Sequence, residues 1–327
     1  MLQLQVIALT ALLLLTAARS GPAQEARGDG EPAGRIPVIF DTDIGDDIDD
    51  TWALVMLLRS PELDLKLALA DHGKADYRAR IMARMLEIAG RTDVPIGLGV
   101  GGREGTGRQA AWVEGYALED YPGTVHEDGV GAMIETIMNS PTPVTVLCIG
   151  PVPNIPAALV REPRIVENAR FVGMHGSLRL GYGGSETVSA EYNVRERPTA
   201  CREAFEAGWE ITITPLDTCG IVRLDGERFR RLHESDDPLL QALMENYRVW
   251  ARSNLDPTSR SSVLFDTVAV YLAFSEELLE IEELPVVVTD DGYTRIDEAG
   301  TMLRAATRWR DLDGYLDFLV DRLAGVR

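Results

Sequence analysis

Residues 36–50 read IPVIFDTDIGDDIDD, a short apolar run followed by ten residues that include six aspartates. The apolar run predicts a buried β-strand over 36–40, and the residues after the acidic turn predict a helix over 51–58. In open parallel sheets, ligands bind outside the carboxyl ends of the strands. This stretch therefore predicts an α/β protein whose functional site begins where its first strand ends.

Short β-branched runs alternate with longer amphipathic stretches along the rest of the chain, which is typical of βα units around a parallel sheet. We predict an α/β fold with a mostly parallel central sheet flanked by helices, an open Rossmann-like sheet. The irregular interval 101–123 predicts an active-site cover. The further predicted strands are 65–70, 95–100, 144–148, 170–174, 210–214 and 284–288. The predicted helices are 75–89, 126–138, 156–160, 199–207, 238–252, 266–272 and 311–323.

The amino terminus carries a short apolar run, residues 6–18, followed by a small and polar stretch through Gly34. The run is too brief to span a bilayer comfortably, which favours a secretory signal over a membrane anchor. No Lys or Arg precedes the run, so an uncleaved anchor remains the alternative. We expect a signal peptide over 1–23, a linker over 24–34 and a catalytic domain over 35–327. We also expect export to the periplasm or medium, without stable membrane association after cleavage.

The composition is that of a globular protein, with 45% hydrophobic and 26% charged residues. The 52 acidic and 32 basic residues give a formal net charge of -20, which would repel a polyanion and excludes nucleic acid polymers as partners. Cys148, Cys201 and Cys219 lie in or near apolar runs and are interpreted as small buried residues without a catalytic role, although one disulfide remains possible.

The acidic turn predicts a metal site. Six carboxylates within ten residues repel one another unless a divalent cation lies among their oxygens. Oxygen donors without nearby cysteine favour Ca²⁺ or Mg²⁺ over zinc. An EF-hand is disfavoured because its loop needs glycine at the sixth position, whereas Gly45 stands at the fifth. The simpler alternative is a solvated turn that caps the following helix.

The motif resembles the hallmark of the inosine-uridine preferring nucleoside hydrolases, an Asp-x-Asp-x-Gly stretch that ends in Asp-Asp. The similarity extends over nearly the whole chain after Ile36. It implies a nucleoside hydrolase-like fold and calcium-dependent hydrolysis of the N-glycosidic bond of a ribonucleoside or similar N-riboside. Purine or pyrimidine salvage is the implied role, and we expect a homo-oligomer that acts on a small molecule.

The resemblance also implies a set of metal ligands. Asp43 would bind the cation and accept a proton from the attacking water, and Asp50 would bind the same cation. The backbone carbonyl of Ile149, in the stretch CIGPVPNI at 148–155, matches a further ligand. Asp266, in LFDTVA at 264–269, matches the distant carboxyl-terminal ligand.

A second set of residues is implied to hold the ribose. The first aspartate of the family's Asp-Asp pair matches Asp49, but this motif is two residues longer than the best-known form, so Asp47 competes for that role. An acidic residue, an aromatic and an asparagine form a second landmark at 191–193. The residues implied to bind the substrate are Asp47 or Asp49, Met174, Glu191, Asn193 and Asp266.

The chain departs from the family pattern around the leaving group. A family histidine that helps to protonate the departing base is replaced by Phe265. His72 and His175 fall at the ends of predicted strands and are candidates for the missing acid, and each is equally well read as a histidine bonded to backbone. Three other residues differ from those that the family pattern has at these positions, namely Lys74, Ser185 and Arg197.

Two other functions remain open from the sequence. Asp41-x-Asp43 after a strand is also typical of haloacid-dehalogenase-like phosphatases, although Gly45 and Asp46 replace the usual continuation of that motif. An exported protein that binds ribose or a nucleoside without turnover would keep the ribose-binding residues alone. Phosphorylation of Asp41 would indicate the phosphatase, and tight binding without product release would indicate the binding protein.

Overall fold

The apolar run before the acidic turn forms the centre of a ten-stranded sheet. A computed structural model describes residues 34–252 and 256–326, so the predicted signal peptide lies outside the described residues. The strands are β1 (Ile36–Thr42), β2 (Leu63–Ala70), β3 (Ile96–Gly97), β4 (Val125–His126), β5 (Val144–Cys148), β6 (Ala169–Met174), β7 (Ile211–Thr214), β8 (Leu279–Val288), β9 (Thr294–Ile296) and β10 (Thr301–Trp309). Their order across the sheet is β4-β3-β2-β1-β5-β6-β7-β10-β8-β9.

Most neighbouring strands run parallel. β1 pairs in parallel with β2 and β5, and the parallel arrangement continues outward to β4 on one side and β10 on the other. β8 pairs antiparallel with β10 and β9, which makes one margin of the sheet antiparallel. The predicted fold, a mostly parallel sheet flanked by helices, is confirmed.

Helices cover both faces of the sheet. They are α1 (Asp49–Leu58), α2 (Ala75–Ile88), α3 (Gly129–Met138), α4 (Asn154–Arg161), α5 (Tyr192–Glu196), α6 (Pro198–Phe205), α7 (Leu216–Cys219), α8 (Gly226–His233), α9 (Pro238–Ala251), α10 (Phe265–Leu272) and α11 (Leu312–Leu323). Apolar side chains of α1, α2 and α8 to α11 build the core on one face, and those of α3, α4 and α6 build the core on the other. This double cover explains why the central strands are apolar on both sides.

The register brings several strand ends to one place. Asp41 pairs with Cys148 across β1 and β5, and Cys148 pairs with Gly173 across β5 and β6. Because these strands are parallel, the residues that follow each of them meet at the same edge of the sheet. The acidic turn after β1 and the segments after β5 and β6 therefore face a common space.

Several predicted elements differ from the observed ones. The third strand was expected over 95–100, but only Ile96–Gly97 pairs with its neighbours. His126 was expected to begin a helix, yet it belongs to β4, and α3 begins at Gly129 behind the Asp128 cap. β10 was not predicted, because its alternation is interrupted by Ala305 and Ala306, which face a core on either side of the sheet.

The segment Arg35–Arg327 forms one compact unit. Cys148, Cys201 and Cys219 are all free and buried, as expected for small core residues. Within the described part of the chain, no helix combines the length and the apolar character needed to cross a bilayer.

Candidate active site

A cavity of about 360 Å³ opens at the carboxyl ends of β1, β5 and β6. The acidic turn forms one wall, the segments after β5 and β6 form another, and the start of α10 closes the site. Its lining residues are Asp43, Asp46, Asp47, Asp49, Asp50, Arg108, Ile149, Met174, Tyr182, Glu191, Tyr192, Asn193, Phe265 and Asp266. Residues from distant parts of the chain thus meet in one place.

The acidic turn is held from behind by one buried arginine. Arg78 of α2 is inaccessible to solvent, and its Nη1 donates to the carbonyls of Asp43 and Ile44. Its Nη2 donates to Asp46 Oδ2 at 3.0 Å. Gly45 adopts a φ of +115°, and the Cβ of any other residue there would lie 2.6 Å from the Tyr77 ring. Backbone conformation and a charged clamp therefore fix the shape of the turn.

Three carboxylates converge at the base of the cavity. Asp49, Asp50 and Asp266 are each 3% exposed, and one oxygen from each lies within 4.8 Å of the others. Burial, reinforced by the neighbouring carboxylates, raises the pKa of all three well above the usual range of aspartate. Thr42 Oγ1 donates to Asp50 Oδ1 at 2.5 Å. Buried oxygens that repel one another fit a hard cation, which would neutralise them together.

Asp43 and Asp41 have different surroundings although they are two residues apart. Asp43 lines the cavity at 5% exposure, and burial raises its pKa to about 6 against the opposing charge of Arg78. Asp41 is fully buried outside the cavity lining, where Asn154 Nδ2 donates to its Oδ1 at 2.8 Å. Asp43 can therefore reach a water molecule in the cavity, whereas Asp41 is hydrogen-bonded within the protein interior. This placement removes Asp41 as a phosphatase nucleophile.

The opposite wall holds a fixed pair of polar side chains. Glu191 caps α5 and accepts the backbone N–H groups of Asn193, Val194 and Gly176 at 2.8, 3.3 and 3.0 Å. Burial nevertheless raises the pKa of Glu191 to about 7. Asn193 Nδ2 donates to the carbonyls of Ile149 and Met174 at 3.1 and 3.0 Å. Its amide hydrogens are thereby used, which leaves Oδ1 to accept a bond from a hydroxyl.

An aromatic corner forms the rim. The rings of Tyr182 and Phe265 meet edge to face at a centroid distance of 6.0 Å. The backbone N–H of Tyr192 donates to the Tyr182 hydroxyl at 2.9 Å. Such a corner offers a planar group an apolar face beside a polar hydroxyl.

Comparison with known proteins assigns the chain to one family. The sequence profile described as "Inosine-uridine preferring nucleoside hydrolase" matches residues 38–313. The chain belongs to this family. It is therefore a nucleoside hydrolase, an enzyme that acts on N-glycosyl compounds, and the interval matched contains the acidic turn and every residue of the cavity wall.

Curated nucleoside hydrolases resemble the chain over nearly their full length. A protein of Citrobacter koseri named "Pyrimidine-specific ribonucleoside hydrolase RihA" is 29% identical over 318 residues, covering 88% of this chain and 98% of that protein. A protein of Escherichia coli with the same name is 28% identical over 317 residues, with the same coverage of both chains.

Solved nucleoside hydrolase structures share the fold. The plant nucleoside hydrolase PpNRh1 superposes with a TM-score of 0.73 at 21% identity, covering 88% of this chain and 99% of that one. An inosine-uridine preferring nucleoside hydrolase of Bacillus anthracis gives 0.73 at 18% identity, covering 89% and 100%.

The structure separates the two aspartates that competed for one role. Asp49 begins α1 and lies in the buried carboxylate cluster, within hydrogen-bonding reach of Asp266. Asp47 is exposed at the turn, where its Oδ1 accepts the backbone N–H of Ile48 at 2.7 Å. Both line the cavity, but only Asp49 shares the cluster with Asp50.

The two histidines are not part of the cavity lining. His175 is fully buried, its Nε2 lies 3.0 Å from the Gly150 carbonyl, and burial lowers its pKa to about 4. His72 is partly exposed, and Arg197 Nε donates to its Nδ1 at 3.3 Å. Neither side chain is placed to protonate a departing base, which corrects the expectation drawn from their positions at strand ends.

Five lining residues were not singled out from the sequence as site residues. Asp46 was treated only as part of the acidic turn, and Phe265 only as a departure from the family pattern. Arg108 belongs to an irregular segment, Tyr182 begins a short 3-10 helix (Tyr182–Gly184), and Tyr192 was noted only as part of the 191–193 landmark. A single residue in a loop gives no periodic or clustered signal. Arg108 could have been suspected because it is a cation in an interval expected to cover an acidic site.

Proposed function

We propose that this nucleoside hydrolase hydrolyses ribonucleosides with a bound Ca²⁺, releasing base and ribose. The observation that carries the proposal is the convergence of Asp49, Asp50 and Asp266 in the cavity that Glu191 and Asn193 also line. The described lining offers oxygen donors without any cysteine or histidine, and such a set favours calcium over transition metals.

The proposed ligands are Asp43, Asp50, Asp266 and the Ile149 carbonyl. All four residues line the cavity. When bound, the cation would orient the attacking water and make it more acidic. Asp43 would accept the proton of that water, since its carboxylate lines the cavity in which the water would bind.

The ribose would be held between the two walls. Asp49 and Asp266 on one side, with Glu191 and Asn193 on the other, can bind sugar hydroxyls, and Met174 packs beneath them. Hydrolysis at an anomeric carbon passes through an oxocarbenium-like state, so restraint of the sugar and activation of water are the main requirements. In this proposal Asp47 stays at the rim.

Pyrimidine ribonucleosides are the first substrates to test, because the curated relatives are named for them. Purified protein would be incubated with uridine, cytidine, inosine and adenosine, with Ca²⁺ and with a chelator, while free base and ribose are measured. Release of both products only with Ca²⁺ supports the proposal. Stoichiometric binding without release would instead indicate a ribose- or nucleoside-binding protein.

We further propose that the protein is exported through a signal peptide over 1–23 and works as a homo-oligomer in salvage of external nucleosides. The support for export is the short apolar run of residues 6–18. Mass spectrometry of the mature protein would detect cleavage near residue 23, and light scattering would give the oligomer size. An intact amino terminus on a membrane-bound protein would contradict export by cleavage.

A further inference from the structure

The cavity contains one arginine that the proposed mechanism does not use. Among the described residues that line the cavity, Arg108 is the only cationic side chain. It belongs to the irregular interval 101–123, and the other charged residues that line the cavity are carboxylates. Its role is therefore a separate question from that of the carboxylates.

The loop that carries Arg108 is anchored directly beside it. Gln109 is fully buried, and its Nε2 donates to the Asp47 carbonyl at 2.6 Å. Its Oε1 accepts bonds from Thr51 Oγ1 at 3.1 Å and from Asn246 Nδ2 at 2.6 Å. Gly107, on the other side, lies so close to Gly45 that an added Cβ would be 2.5 Å from that carbonyl oxygen. The loop is thus fixed against the acidic turn.

The guanidinium itself is also positioned. Its carbon lies 4.4 Å from the centroid of the Trp250 ring, and Nη2 donates to the Trp250 carbonyl at 3.1 Å. Trp250 Nε1 in turn donates to the Asp46 carbonyl at 3.1 Å. An arginine has five N–H donors, and this single bond leaves the others available to a ligand in the cavity. Stacking on Trp250 holds the plane of the group in place.

A simple counter-ion role does not account for this arrangement. Asp46 is already paired with Lys74 at 2.7 Å and with Arg78 at 3.0 Å. Asp47 feels the charge of Arg108, but its Oδ1 is bonded to the Ile48 N–H and the described contacts include no ion pair between the two. The guanidinium therefore has an open side that no carboxylate occupies by direct contact.

We propose that Arg108 stabilises the departing base, in place of the histidine acid that Phe265 replaces. This inference rests on the proposed hydrolysis of ribonucleosides. The C1′–N bond breaks, its electron pair passes to the base, and the guanidinium donates hydrogen bonds to the negative charge that develops there. The water oxygen bonds to C1′ and its proton passes to Asp43, and solvent protonates the base after departure. Arg108 keeps its own protons throughout.

The proposal also names a substrate class. A guanidinium only donates hydrogen bonds, so it favours bases whose developing charge collects on a carbonyl oxygen. Oxo bases such as uracil and hypoxanthine meet this condition. Adenine has no carbonyl oxygen, so its developing charge stays on ring nitrogens, and Arg108 should contribute less to the hydrolysis of adenosine than to that of inosine.

The test compares Arg108→Met with Arg103→Met in the same loop. Methionine keeps an apolar stem over Trp250 but removes every donor. Arg103 is an exposed residue, paired with Asp76 and Glu127, outside the cavity lining. Each variant would be assayed with Ca²⁺ on uridine and on p-nitrophenyl riboside, whose phenolate departs readily without help, and calcium affinity would be measured by calorimetry.

We expect Arg108→Met to lower kcat/KM for uridine by ~10²–10³-fold, the range for loss of one preorganised donor. The loss for p-nitrophenyl riboside should stay below about 10-fold, calcium affinity should hold, and Arg103→Met should behave as the parent. Added guanidinium should partly restore uridine hydrolysis in Arg108→Ala. Equal losses on both substrates, or weakened calcium binding, would overturn the role of Arg108 alone. A parent enzyme that cleaves neither substrate would overturn the proposed function and this inference together.

Discussion

The direction in which a side chain points decides which of two neighbouring residues of similar chemistry can reach the cavity. Asp41 lies near the end of β1 and Asp43 directly follows that strand, yet only Asp43 lines the cavity. Met174 and His175 are consecutive, and only Met174 lines the cavity, because neighbouring side chains at the end of a strand point to opposite sides. That alternation was available in the sequence and argued against His175 once Met174 was assigned to the sugar pocket.

Asp43→Asn should lower kcat by ~10²-fold or more, because the amide fills the same space but cannot accept a proton from water. The variant should be assayed at saturating calcium, since Asp43 is also a proposed ligand. Its unfolding transition should match that of the parent to show that the fold is intact. A folded variant with nearly normal kcat would mean that another group is the base.

His175→Gln should make the protein less sensitive to acid. The unfolded chain protonates this histidine near pH 6.5, whereas the buried ring between Phe171 and Phe205 resists protonation until about pH 4. Stability is therefore lost as the pH falls through that window, by about 3 kcal/mol at roughly 1.4 kcal/mol per pKa unit. Glutamine keeps a donor for the Gly150 carbonyl without titrating.

The measurement is denaturant unfolding of parent and His175→Gln at pH 7.5, 5.5 and 4.5. As the pH falls, the free energy of unfolding should decrease less for the variant than for the parent. A constant difference across that range would show that His175 takes up its proton as readily in the folded protein as in the unfolded chain.

At the scale of elements, the loop over 101–123 illustrates what sequence patterns can and cannot give. Its irregularity predicted a cover, and it does meet the acidic turn through Gly107 and Gln109. Which of its residues face the site depends on contacts with α1, α2 and α9. Those contacts join distant parts of the chain, so no local pattern reports them.

Gly107→Ala should push this loop away from the turn. The added Cβ would lie 2.5 Å from the Gly45 carbonyl oxygen and 2.6 Å from Asp46 Oδ1, so one partner must move. We expect a loss of ~1–3 kcal/mol in the free energy of unfolding and a lower kcat/KM. Gly34→Ala, where an added Cβ meets nothing within 4 Å, is the matched control. Parent-like stability of Gly107→Ala would mean that the loop does not pack as described.

The predicted elements were most accurate where one residue pattern dominates. β1 and α1 flank a motif in which an apolar run, an acidic turn and a helix follow each other, and all were found. β10 contains Arg304 and Arg308 among alanines, residues common in helices, and it becomes a strand only because β7 and β8 lie on either side. The acidic turn is two residues longer than the best-known family motif, so the sequence alone did not show which aspartate lies beside Asp50 in the carboxylate cluster. Only the packing of the folded chain decides this.

For the whole molecule, calcium should stabilise the fold. Three buried carboxylates that repel one another destabilise the cation-free protein, and a ligand at 100 times its Kd adds about 2.7 kcal/mol. A thermal scan with Ca²⁺ should therefore show a Tm several degrees above that with chelator. Asp266→Asn should reduce this gain, whereas Asp64→Asn, outside the cavity, should keep it. An unchanged Tm in the parent would argue against a cation in the cluster.

The three clustered carboxylates come from the first and the tenth helices, so the chain must bring its two halves together before they meet. Contacts between such distant segments form late, because their loop must be closed first. A lanthanide such as Tb³⁺, which emits when a nearby indole is excited, could report this event through Trp52, two residues after Asp50. Emission during refolding should rise with the last kinetic phase, whereas early emission would mean that the acidic turn captures cations before the sheet is assembled. Because Asp266 belongs to α10, a chain under translation would be inactive until α10 has left the ribosome.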